Sequence, residues 1–87
     1  MSNEKIADIL YIARHTRRET QPKVAAFVGC SVVYLSGLET GKSIPLDGVI
    51  LHKLANHYGI DFEKLIRTAY NQKCEEIIQK YKRSTSE

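Results

Sequence analysis

Apolar residues recur at steps of three and four along nearly the whole chain, and short polar stretches divide them into five segments. In the first, Ile6, Ile9, Leu10 and Ala13 form one stripe, which predicts a helix from about Asn3 to Thr16. The second is short, about Gln21 to Val28, with Val24, Ala25 and Val28 inward. Thr20 offers it a capping hydroxyl, and Pro22 falls in its first turn, where a missing N–H costs little. Gly29, just past its end, suits a left-handed cap. Ser31 can cap a third helix that runs to about Thr40, turns Leu35 and Leu38 inward and stops at Gly41. "KSIPL" reads as a loop. Asp47 can cap a fourth helix, with Ile50, Leu51, Leu54, Ala55 and Tyr58 on its apolar side and Gly59 at its end; Asp61 then caps a fifth, opening "DFEKLIRTAY". Strand-like alternation is hard to find, so the expected class is all-α.

The fifth segment outlasts the others. Ile66, Tyr70, Cys74, Ile77 and Tyr81 stand 4, 4, 3 and 4 apart in one continuous stripe, widened by Ala69 and Ile78. A five-helix core needs this helix only to about Ala69. The expectation is therefore a domain over residues 1–69 and a helical extension over 70–87 ending in the polar tail "RSTSE". The outer stripe needs a partner. The same stripe in a second subunit is the expected one, since a two-fold interface is the commonest solution; the alternative is a tail folded back on its own domain.

Composition narrows the class without naming it. A chain of 87 residues fits one small domain, and 43% hydrophobic with 26% charged residues is a globular balance. A net charge of +3 is compatible with nucleic acid but not diagnostic of it. No apolar run approaches the roughly 18 residues of a membrane helix, and "MSNEKIADIL" has no secretory apolar region, so the expected location is cytoplasmic, with no membrane partner. Cys30 and Cys74 lack CxxC spacing and read as small buried or half-buried residues, not a disulfide.

The second and third helices, separated by a Gly turn, suggest a helix-turn-helix, in which the third enters the DNA major groove. Here the residues go further. "TQPKVAAFVGCSVVYLSGLETGKSIP" resembles the core of the Cro/C1-type family of phage repressors and Xre-like regulators. Arg14, Thr20–Gln21, Val24–Ala25, Gly29, Ser31, Tyr34–Leu35–Ser36, Leu38–Glu39, Gly41–Lys42 and Pro45 carry the likeness, and Leu51, Leu54–Ala55, Tyr58–Gly59–Ile60 and Leu65 continue it. It covers about residues 6 to 66 and implies a five-helix lambda-repressor-like domain. Two features depart from the pattern. Arg18 and Glu19 stand where the family usually has Gly and an apolar residue, which implies a more polar, differently shaped corner between the first two helices; and the last helix runs far past the family's usual end.

The resemblance also implies roles. Gln21 would hold a phosphate at the start of the second helix, with Thr20, Ser31, Tyr34 and Lys42 as further phosphate contacts. Tyr34 could equally be a partly buried ring with a wetted hydroxyl. Arg14 and Glu39 would form an internal ion pair that orients the third helix. Val32, Val33, Ser36 and Gly37 match the base-facing positions, and none can make a bidentate contact to guanine or adenine. A valine can still pack on the thymine C5-methyl, so weak readout biased to thymine is expected, with phosphate contacts and DNA shape adding the rest.

No catalytic set is visible: Ser31 and Ser36 lack a placed His and acid. His15, His52 and His57 with the two Cys show no zinc spacing and read as surface or satisfied residues, and no phosphate-binding Gly loop occurs. No enzyme activity, metal or cofactor is expected. The favoured reading is a homodimeric transcriptional regulator, a repressor, that binds a palindromic operator in double-stranded DNA. The alternatives are the antitoxin half of a toxin–antitoxin pair, whose tail holds a protein, and a helix-turn-helix scaffold that binds protein only.

Overall fold

A computed structural model describes residues 4–85. Five helices follow one another: α1 (Ile6–Thr16), α2 (Gln21–Val28), α3 (Val32–Thr40), α4 (Gly48–Tyr58) and α5 (Phe62–Thr85). No strand occurs among the described residues, and the domain is all-α, with α2 and α3 in a helix-turn-helix arrangement. No described helix is long and apolar enough to cross a membrane.

The caps explain where the helices begin. The Thr20 hydroxyl accepts from the Lys23 N–H at 3.3 Å, Ser31 accepts from Tyr34 N–H at 3.0 Å, and an Asp47 carboxylate oxygen accepts from Val49 N–H at 2.9 Å. Each satisfies a donor that a helix start leaves open. The start of α1 is later than the expected Asn3, a residue outside those described. Lys5 occupies its cap position without a side-chain bond, and the Ile6 N–H donates instead to Gln72 Oε1 of α5 at 2.9 Å. The group that satisfies the first helix thus lies in the last one, where no local pattern could reveal it.

Between α2 and α3 the chain reverses at Gly29, whose φ of 81° is left-handed; the N–H groups of Gly29 and Cys30 both return to the Ala25 carbonyl. Lys53 of α4 lies beside this helix end, where its cation faces the negative end of the α2 dipole. The corner between α1 and α2 is wound the same way. Arg18 takes φ 58°, its N–H bonds the His15 carbonyl, and the Glu19 N–H bonds the Arg14 carbonyl. This is the closure a glycine makes freely. Arg18 does not change the turn; it makes it at a cost of about 1 kcal/mol in backbone strain.

One core sits under all five helices. Ile6 and Leu10, Val24 and Val28, Leu35 and Leu38, Leu51 and Leu54, and Leu65 are fully buried. Ile9, Ile50 and Tyr58 pack at its edge, half-buried. Arg14, not Ala13, completes the buried side of α1. Ala69 is the last buried residue, yet α5 continues without a break. The change at residue 69 is in burial, not in backbone. Beyond it Tyr70, Cys74, Ile77, Ile78 and Tyr81 are exposed along the helix, so the outer tail is not folded back on the domain. Cys74, expected to be buried or half-buried, is exposed because nothing packs on this stripe; Cys30 is half-buried, and both thiols are free. At about 1.5 Å per residue α5 is roughly 36 Å long, which draws the molecule out to 47 Å along one axis against 25 and 21 Å along the others.

Candidate nucleic-acid interface

The orientation of α3 is set by a polar network under its inner side. Arg14 Nε lies 2.8 Å from Glu39 Oε2, and Nη2 donates to Oε1 at 2.9 Å, a two-point clamp. The two side chains are 11% and 1% exposed. Arg14 Nη1 also donates to the Glu19 carbonyl oxygen at 2.7 Å, and Gln21 Nε2 donates to Glu39 Oε1 at 3.0 Å. One carboxylate thereby ties α3 to α1, to the corner after α1 and to the first residue of α2. The hydrogen bond to Glu39, against the opposing pull of desolvation, raises the Arg14 guanidinium above its ordinary value, so its charge is fixed. Tyr58 borders the network with a buried hydroxyl that has no hydrogen-bond partner among the described residues; burial pushes its phenol to about 12, which keeps it neutral.

Gln21 is therefore committed inward: its amide completes the Glu39 network. The hydroxyls of Thr20 and Ser31 accept from backbone as caps, and each still has its own hydrogen to donate outward. Lys42 is exposed just after α3. Tyr34 is half-buried, and burial, then the nearby Asp47 charge, raise its phenol.

On the outer side of α3 Val33 is 83% exposed and Val32 is 41% exposed, with Ser36 half-buried between them and Thr40. The Thr40 hydroxyl donates to the Ser36 carbonyl oxygen at 2.9 Å, so its polar group is spent on the helix. Gly37 is less open than a base-facing glycine would be. Ser43 lies over it: a β-carbon there would meet Ser43 Oγ at 3.5 Å, and the Ser43 N–H bonds the Gly37 carbonyl.

Two features escaped the sequence reading. Glu19 Oε1 lies 2.7 Å from His57 Nε2 and 3.3 Å from Arg17 Nε, which ties the corner before α2 to the end of α4. The hydrogen bond with His57 lowers the Glu19 carboxyl below its usual value. The second is Arg17 and Arg18, exposed at the mouth of α2. Their charge beside the Thr20 cap was the available signal. Together these change the electrostatics. From Arg17 to Leu46 the only carboxylates are Glu19 and Glu39, 10% and 1% exposed and both ion-paired. The outward ionic groups of that stretch are Arg17, Arg18, Lys23 and Lys42, all cationic.

Among the described residues no three His, Cys, Asp or Glu side chains gather as a metal site. No protein-family model, curated protein or solved structure matches the chain.

Proposed function

We propose that the chain is a sequence-specific DNA-binding regulator, a repressor that uses α3 in the major groove and works as a homodimer on a palindromic operator. One observation carries this reading. The helix-turn-helix stretch turns both of its acids inward and leaves four outward cations around an apolar ridge. A polyanion with an apolar feature at the floor of its groove is the complement of that surface. Arg17, Arg18, Lys23 and Lys42 would meet phosphates, with the hydroxyls of Thr20 and Ser31 and the backbone N–H at the start of α2 fixing the register.

The second copy is argued from α5. Tyr70, Cys74, Ile77 and Tyr81 step by 4, 3 and 4, the alternation of a two-stranded helical seam, so the stripe is complementary to itself. Ile77 is 54% and Tyr81 70% exposed in the single chain. The same exposure favours the second reading, an antitoxin whose tail holds a different protein.

Selection from a random duplex pool, followed by titration at several salt concentrations, tests the function. If each subunit neutralises about two to four phosphates, log K should fall against log salt with a slope of roughly −4 to −7 for a dimer. No retained duplex, or a slope near zero, would overturn it. Sedimentation separates the two readings of the tail: a dimer at micromolar concentration supports the homodimer, a monomer the antitoxin.

A further inference from the structure

We infer that the ridge of α3 reads the C5-methyl group of a pyrimidine and accepts 5-methylcytosine in place of thymine, so that methylation of cytosine in the operator strengthens binding. This rests on the reading that α3 lies in the major groove. The argument is from what the ridge contains and what it lacks. Val33 stands 83% exposed at its crest, with Val32 beside it. Thr40 has turned its hydroxyl back onto the Ser36 carbonyl. The one acid of α3, Glu39, is locked under the helix by Arg14 and Gln21. The polar group left on the ridge is the Ser36 hydroxyl.

Thymine and 5-methylcytosine carry their methyl on the same ring carbon, at the same place on the major-groove edge. They differ at the neighbouring atom, an oxygen that accepts in thymine and an amino group that donates in cytosine. Telling them apart takes a side chain of fixed polarity. Val33 has none, and a serine hydroxyl can either donate or accept. What this ridge can detect is the methyl itself, because burying it against Val33 removes apolar surface from water on both sides. Cytosine and uracil, without the methyl, leave the valine facing solvent or an unfilled gap. One buried methyl corresponds to about fourfold in affinity, and two half-sites to about fifteenfold.

The experiment uses the selected operator in four matched forms at each pyrimidine position of the half-site: thymine, uracil, cytosine and 5-methylcytosine, each opposite its proper partner. At one position uracil should bind about fourfold more weakly than thymine, and 5-methylcytosine about fourfold more tightly than cytosine. Val33→Ala should bring both ratios close to one while keeping the salt slope. Val33 is surface-exposed, so this variant should fold as the parent does, which its thermal unfolding checks. Equal binding of thymine and uracil at every position overturns the inference, as does a Val33→Ala protein that still discriminates. A protein that retains no duplex at all overturns the proposed function instead.

Discussion

A single methyl group separates two accounts of Gly37. If the glycine exists to let DNA approach, alanine should weaken binding; if Ser43 already covers it, alanine should not. The 3.5 Å spacing to Ser43 Oγ is ordinary contact, so the added carbon fits. Gly37→Ala should raise stability by somewhat under 1 kcal/mol through helix propensity, with operator affinity within twofold of the parent; denaturant melts and a binding titration check the pair. Arg18 sets a similar test. Its left-handed backbone favours glycine, while its charge favours the DNA reading. Arg18→Gly should leave stability equal or up to about 1 kcal/mol higher and make the salt slope shallower by roughly one. An unchanged slope would mean that Arg18 meets no phosphate. Such residues show where sequence reading stops. The likeness marked Arg18 as a departure, and only the backbone angle shows that the turn survives it. Gln21 was legible as a polar residue at a helix start but not as a donor to Glu39, because that contact depends on how three helices meet.

Elements are held to one another by a few polar ties as much as by the shared core. The bounds of α2, α3 and α4 were legible because each begins at a hydroxyl or carboxylate cap and ends at a glycine. The ties were less so. Arg14 and Glu39 could be paired through the resemblance, whereas Glu19 with His57 joins residues 38 apart with no local signature. Arg14→Met should cost about 3–5 kcal/mol, since it strands the Glu39 carboxylate in the interior. Replacing both residues with Met should recover much of that loss, yet leave α3 less firmly oriented and operator affinity reduced. A double variant as unstable as the single one would contradict this account. The Glu19 tie predicts a pH dependence. Its carboxyl is lowered in the folded state, so its contribution is present above the ordinary value of about 4.5 and fades as the pH falls below it. The difference in melting temperature between the parent and His57→Ala should therefore shrink below pH 4.5. A constant difference down to pH 3 would rule out the carboxylate as the source.

For the whole molecule, the assembly turns on the outer half of α5. Ile77→Asp would set a carboxylate in each half of the seam, desolvated and near its mate. The variant should keep the far-ultraviolet signal and the melting of the parent domain, sediment as a monomer, and lose operator affinity by orders of magnitude. A variant that still dimerises would remove the seam. The inner half of α5 has a different consequence. Leu65 and Ala69 are core residues, and Gln72 closes the first turn of α1 across 66 positions. On a ribosome that adds about 5–20 residues per second, the first helix is made roughly 3 to 13 seconds before the residue that completes it exists. An emerging chain must carry Ile6 and Leu10 unburied for that interval. The domain thus has no stable half: a nascent chain stalled before Leu65 should be open to protease and to holdase chaperones, and release of the last few turns should close the whole fold at once.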